Sequence, residues 1–182
     1  SKCIMLGAIY FLLRLGDEGF DQLGVSRQAW LRHLAIGAGI GVAMFCLFNV
    51  GLASILGGLF PRPDDTGPSV MDYFRQPSNL WLWLPIGIFG GGVVEELERI
   101  FVMTRFEQWK GRAGLVAGIV LSSAMFGYGH LYQGLGLAIA TGVSGVVLAL
   151  VYLRRRSALE AIAAHAMSDV LAILAATFLV QH

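Results

Sequence analysis

The sequence predicts an all-α fold, a polytopic bundle of about six transmembrane helices with the first one truncated. Three observations lead there. The chain has 182 residues, 56% of them hydrophobic and only 14% charged, whereas a soluble domain carries about 25% charged residues. Charge is also missing over long stretches: no Asp, Glu, Lys or Arg occurs between Arg32 and Arg62, from Gln76 to Val94, from Ala113 to Tyr128, or from Leu131 to Leu153. Finally, such runs approach the ~20 residues that cross a ~30 Å hydrocarbon core, and they lack the polar face that a soluble helix keeps.

The first segment, about 3–14, reads "CIMLGAIYFLL" within it and is short for a full crossing, so it is expected to be part of a longer helix. "GDEGFDQLGVSRQAW" follows as a loop or short surface helix. The second span is expected over 33–60. Prolines, aspartates and a glycine make "PRPDDTGPSVMDYFRQPSN" a loop. The third span starts near Trp81 and runs through a cluster of glutamates toward Trp109. The fourth is expected over 114–133, the fifth over 135–153 and the sixth over 158–180. Trp81, Trp83 and Trp109 suit the membrane interfaces. No internal repeat or signal-peptide pattern is visible, and the simplest count is one membrane-embedded domain over 1–182, with its motif-bearing core at about 80–180.

Alternating the loops across the membrane puts Arg14, Arg27, Arg32, Arg105, Lys110, Arg112, Arg154, Arg155 and Arg156 on one side, against Lys2, Arg62 and Arg75 on the other. That asymmetry predicts a multi-pass protein of the cell membrane with the first set cytoplasmic. The run Arg154–Arg156 reads most simply as this topogenic signal, with lipid headgroup binding as the alternative. A net charge of +1 offers nothing to nucleic acid. Cys3 and Cys46 are expected to be small buried apolar residues rather than a disulfide or metal pair. His33 and His182, at helix or chain ends, carry no expected role.

Besides Arg99, the ionisable residues singled out within the spans are Glu95, Glu96, Glu98, His130, His165 and Asp169. A charge near the bilayer centre costs at least about 2.5–3.5 kcal/mol, so such groups face the protein interior, pair with one another and mark function. A purely structural ion-pair network would account for Arg99 with Glu95 or Glu96, four and three residues away. It would not account for two histidines and an aspartate on other helices. His165 and Asp169 share a helix face in "HAMSD", as do Phe126 and His130 in "FGYGH". Three helices thus present polar groups to one interior site. A desolvated carboxylate beside histidines can take a proton from water, and imidazoles or a second acid can hold an oxyanion or protonate a leaving amine. The same groups, Glu95, His130, His165 and Asp169, could instead bind a divalent metal such as zinc, although the H-E-x-x-H signature is absent. A serine nucleophile finds only a partial context in "TGVSGV" around Ser144.

"EELER" at 95–99, "FGYGH" at 126–130 and "HAMSD" at 165–169 lie in that order on successive membrane regions. This ordered set resembles the CAAX-protease and bacteriocin-processing (Abi, or CPBP) family of intramembrane endopeptidases, over roughly residues 80 to 180. The resemblance implies a helix bundle with its site sunk in the membrane and a glutamate-activated water. In the eukaryotic branch it implies cleavage of prenylated C-terminal CAAX tripeptides. Carried over by position, Glu95 would activate the water and Glu96 would support it with Arg99. His130 and His165 would flank the scissile carbonyl, and Asp169 would stand where the family has Asn. The family commonly reads E-E-x-x-x-R; here Arg99 stands one residue earlier. The expected substrate is a membrane protein or lipidated peptide. The competing functions are a non-catalytic scaffold or immunity protein of the same fold and a proton- or cation-coupled carrier, the latter disfavoured by the lack of inverted repeats.

Overall fold

The computed structural model describes residues 2–60, 73 and 76–179. Most of the loop expected over 61–79, with Arg62 and Arg75, lies outside the described residues, as do His182 and the end of the sixth span. Every described regular element is helical. α1 is Lys2–Leu15, α2 is Trp30–Leu59, α3 covers 80–109, α4 covers 112–128, α5 is Leu135–Arg155 and α6 is Ala158–Phe178. Short 3₁₀ turns occupy Phe20–Leu23, Pro77–Asn79 and Leu131–Gln133.

Among the described residues four helical stretches are long and apolar enough to cross a membrane: Trp30–Leu59, Pro77–Tyr128, Leu135–Arg155 and Ala158–Phe178. The second of these is two helices folded back on each other. Lys110 (φ −132°, ψ 19°) and Gly111 (φ 57°, ψ −137°) leave helical geometry there, and a positive φ with that ψ is a glycine conformation. The apolar segments therefore number about six, as expected. Outward-facing side chains such as Leu12, Ile55, Trp81, Val120 and Leu150 are exposed and apolar, a surface made for lipid rather than water. Cys3 and Cys46 are exposed on that surface and unpaired, not buried as expected. Each is small enough to sit on an outer helix face at little cost.

Small residues set the helix spacings. Gly37 and Gly41 lay α2 directly on α6: a Cβ at Gly37 would stand 2.7 Å from that of Ala163, and one at Gly41 2.7 Å from that of Met167. This is the small-xxx-small contact by which membrane helices bring their backbones together. Gly118 lets α4 lie against α3, where its Cβ would meet the Met103 Cα at 3.0 Å, and Gly127 does the same for α4 on α5, against the Ala138 carbonyl at 2.7 Å. The α5–α6 turn is tight. Ser157 caps α6 by accepting the Glu160 N–H at 3.4 Å, the first half of an S-x-x-E capping box.

The basic segments gather at one end of the bundle. Arg105 pairs with Glu18 (3.2 Å for Nη1), Arg156 grips Glu107 through both nitrogens (2.6 and 2.7 Å), and the Ala158 N–H bonds the Gly24 carbonyl at 3.1 Å. The Arg105 hydrogen bond holds Glu18 below its usual carboxylate range. Lys2, at the start of α1 and nearly half exposed, pairs its ammonium with Glu95 on α3.

Two helices widen into π turns, over Phe45–Leu52 in α2 and Ile86–Glu95 in α3. The second follows Pro85 directly. Proline lacks the N–H that would close the preceding α turn, and "GIFGGG" behind it offers little side-chain resistance to a wider turn. Single π turns inside α-helices frequently sit at functional sites, and Glu95 is the last residue of this one.

Candidate active site

The acids of α3 point to different places. The Glu95 side chain is 19% exposed and lines a cavity of about 640 Å³ between the helices; that of Glu96 is 1% exposed and lies behind the cavity wall. Adjacent helical residues lie about 100° apart, so one faces the cavity while the other turns into the protein. Glu98 is half-buried and does not line the cavity.

Arg99 finds its partner in Glu96, three residues away, not in Glu95. A buried carboxylate facing a buried guanidinium avoids the cost of either charge alone. The same oxygen of Glu96 meets the Nδ1 of His165, 2.7 Å away on α6. The guanidinium of Arg99 also lies 4.4 Å from the centre of the Phe126 ring, a cation–π distance. The Phe126 ring in turn stands edge-on to His130 (4.9 Å) and to His165 (5.3 Å). The F-x-x-x-H motif thereby acquires a physical reason, since Phe126 is the packing centre that holds the cation and both imidazoles.

His165 is only 5% exposed. Its Nδ1 faces Glu96, while its Nε2 faces Asp169 at 3.6 Å and Glu95 at 4.0 Å. His130 closes α4, its Nδ1 2.8 Å from the Phe126 carbonyl and its ring stacked 6.0 Å from that of Tyr132. Glu95, His130, His165 and Asp169, contributed by three helices, all line the one cavity.

Counting residues along straight helices sets Glu95 and His130 at different depths; the α3–α4 hairpin removes the discrepancy. Glu96 lies about 20 Å before the Lys110–Gly111 turn and Phe126 about 21 Å after it, at 1.5 Å per residue. Glu96 and Phe126 therefore stand at about the same level; the long Arg99 side chain spans the remaining step to the Phe126 ring, and the His130 ring folds back onto the Phe126 carbonyl.

The glycines before Glu95 separate by function. A Cβ on Gly92 would lie 2.6 Å from that of Ala166, and one on Gly91 would press on the Asp169 carboxylate. At Gly90 it would make only ordinary contacts, with Lys2 at 3.8 Å and Ile86 at 3.9 Å. The close approach of α3 to α6 needs Gly91 and Gly92, within the same stretch that widens into the π turn.

No group of three or more His, Cys, Asp or Glu among the described residues is arranged to hold a metal ion, so the donor set of Glu95, His130, His165 and Asp169 does not form a metal centre as it stands. The hydroxyl of Ser144 bonds the Thr141 carbonyl at 2.8 Å, as a packed helix serine does. Ser122 likewise bonds Ile119 at 3.3 Å, whereas Ser168 instead accepts a hydrogen bond from Asn49 at 3.2 Å.

Three groups go beyond the motif reading. Asn49, on the π turn of α2, lines the cavity; as the lone amide between His33 and Phe60, it was legible as a polar group out of place. Glu160, in the sixth span, has no exposed surface and gathers His33 (2.8 Å), Arg154 (3.0 Å) and Arg155 (3.4 Å). The criterion that selects intramembrane charges applies to it equally, and it gives His33 a role the sequence did not suggest. Lys2, paired with Glu95, had no such signal.

Residues 77–171 match the family model of the Rce1-like type II CAAX prenyl endopeptidases. No curated protein and no solved structure matches the chain.

Proposed function

The chain belongs to the Rce1-like type II CAAX prenyl endopeptidase family, a family of membrane proteases, and from that premise we propose that it is an intramembrane endopeptidase cleaving membrane-associated or lipid-anchored peptides with a glutamate-activated water. The observation that carries this reading is the convergence of Glu95, His130, His165 and Asp169 on one cavity. The rest of the lining supplies the other half of a lipidated peptide's chemistry: Phe45, Phe48, Ile86, Leu137 and Ile173 offer apolar surface next to the polar cluster.

In this reading Glu95 is the base. It is the acid of the E-E pair that reaches the cavity, and its partner Lys2 is nearly half exposed. The Phe126 carbonyl can only accept, so His130 carries its proton on Nδ1 and turns the Nε2 lone pair outward. A water between Glu95 and His130 would therefore meet two acceptors, which raises its nucleophilicity. Glu96 and Arg99 are positioning residues: they fix the orientation of the His165 ring, which with Asp169 forms the wall beside the scissile bond. Arg99 fills this place in spite of its early position, because three residues bring it to the same helix face as Glu96. The reading extends to one membrane-embedded domain over 1–182, since α2 lines the cavity with α3, α4, α5 and α6. It also places the end bearing Arg27, Arg32, Lys110, Arg112 and Arg154–Arg156 in the cytoplasm of the cell.

The test is cleavage of a peptide with a prenylated cysteine and a C-terminal tripeptide by the protein in liposomes. Glu95→Gln, His130→Ala and His165→Ala are each expected to lower kcat by about 10²–10⁴-fold while the protein stays folded. Full processing by all three variants would overturn the mechanism assigned to these residues, and a wild type that leaves the peptide whole would return the chain to the scaffold reading.

A further inference from the structure

Attack of water on a peptide carbonyl leaves negative charge on its oxygen, and that charge needs a hydrogen-bond donor aimed at it. Of the two histidines, only His165 keeps a nitrogen that can supply one. His130 donates from Nδ1 to the Phe126 carbonyl, which leaves Nε2 as an acceptor. Nδ1 of His165 is bonded to Glu96 at 2.7 Å, while Nε2 lies 3.6 Å from Asp169 and 4.0 Å from Glu95, beyond hydrogen-bond distance of either, so His165 can offer one donor to the oxyanion and leaves room for a second. The Arg99 guanidinium is buried against Glu96. The hydroxyls of Ser54 and Ser144 are spent on the carbonyls of Val50 and Thr141.

Asn49 is placed differently. One of its amide hydrogens goes to Ser168 Oγ at 3.2 Å, and an amide has two. Ser168 lies between His165 and Asp169 on the cavity-facing stripe of α6, so this bond brings the amide beside the reacting groups. The backbone is built for the placement. Gly41 faces α6, against Ala164 and Met167. At about 100° per residue an unbroken α-helix would turn Asn49 about 80° away from that direction. The i→i+5 winding of Phe45–Leu52 advances only roughly 80–90° per residue, which returns Asn49 to within about 40° of it. Both π turns among the described residues thus aim a polar side chain at one cavity, Glu95 from α3 and Asn49 from α2.

We propose that Asn49 is a catalytic residue whose free amide hydrogen binds the substrate carbonyl oxygen as the peptide bond is attacked. This rests on the protease reading above. The water oxygen bonds to the carbonyl carbon, its proton passes to Glu95, and the carbonyl π pair becomes the oxyanion that Asn49 holds. On collapse the C–N bond breaks, the C=O bond re-forms, and the leaving amine takes the proton back from Glu95.

The experiment uses the full chain in liposomes with the prenylated peptide, comparing Asn49→Asp, Asn49→Leu and Ser168→Ala with wild type. Aspartate keeps the size and can accept a hydrogen bond from the Ser168 hydroxyl, but it has no amide hydrogen; leucine keeps the size without adding charge. Both are expected to lower kcat by about 10²–10³-fold with KM and thermal midpoint little changed. Ser168→Ala removes the tie and leaves the donor, so it is expected to stay within about fivefold of wild type. The proposal is overturned if Asn49→Leu keeps wild-type kcat, or if Ser168→Ala loses as much as Asn49→Leu, which would make the pair a packing contact. A wild type that leaves the peptide whole overturns the protease reading and this inference with it; an active wild type with a fully active Asn49→Leu overturns this inference alone.

Discussion

Replacing Gly92 with alanine tests whether the α3–α6 approach sets the catalytic geometry. The added methyl would stand 2.6 Å from the Ala166 Cβ, 3.1 Å from its Cα and 3.2 Å from its N. None of these atoms belongs to a side chain that can rotate away. Carbon atoms settle at about 3.5–4.0 Å, so the two helices must separate locally by about 1 Å. Gly92 lies three residues before Glu95, and Ala166 follows His165. The separation therefore falls on the 4.0 Å between Glu95 and His165 and the 2.7 Å between Glu96 and His165. A displacement of that size costs about 10²-fold in rate, or about 2.7 kcal/mol of activation free energy. Overpacking costs about 1–3 kcal/mol of stability, of which up to about 1 kcal/mol is offset by the better helix propensity of alanine. Gly90→Ala is the internal control, since its methyl meets only Lys2 and Ile86 at 3.8 and 3.9 Å. Rates and thermal midpoints of both variants in liposomes are the measurements. Gly92→Ala within threefold of wild type, or Gly90→Ala falling equally far, would refute the reasoning.

Three further outcomes are expected. Arg99→Met strands Glu96 without its cation and should destabilise the protein by about 3–5 kcal/mol, read as loss of the folded fraction on thermal or denaturant titration; a loss of under ~1 kcal/mol, the size typical of an exposed ion pair, would show that the pair is not buried in solution. Glu160→Gln leaves His33, Arg154 and Arg155 facing a neutral amide, at a cost of about 1–3 kcal/mol; an unchanged thermal midpoint would contradict this. Glu18, held low by Arg105, contributes stability that is present above its unfolded pKa of about 4.3 and lost as pH falls through its lower folded value. Because the pair is partly exposed the effect is under about 1 kcal/mol, and Glu18→Gln should flatten the fall of thermal midpoint between about pH 5 and pH 3; an identical slope in both proteins would rule the linkage out.

Much of the site was legible because burial of charge in a membrane is costly enough to be conspicuous. Glu95, His130, His165 and Asp169 stand out from apolar runs, and the i,i+4 spacing of His165 and Asp169 already puts them on one face. The order of the three motifs pointed to the family before any geometry was known. Less visible was the division of labour between Glu95 and Glu96. Both lie in the same apolar context, and only the angle of α3 against α6 decides which faces the cavity. Asn49 gives a weaker signal for a related reason: it is the lone amide of its span, but an amide carries no charge, so it interrupts a hydropathy pattern less than an acid does.

Composition and the spacing of charges determined that the chain is a helical membrane bundle, roughly where its helices run, and which groups cannot face lipid. Those are local consequences of solvation, and each residue carries its own. Which groups meet was decided by the tertiary structure alone. The turn at Lys110–Gly111 folds α4 back along α3, which brings Phe126 level with Glu96 and within reach of Arg99, and carries His130 to the same cavity as Glu95. The π turns rotate Glu95 and Asn49 onto the cavity, and Gly91 and Gly92 set how close α6 comes. These depend on distances between helices far apart in the chain, where a single residue of register or one methyl group changes the outcome.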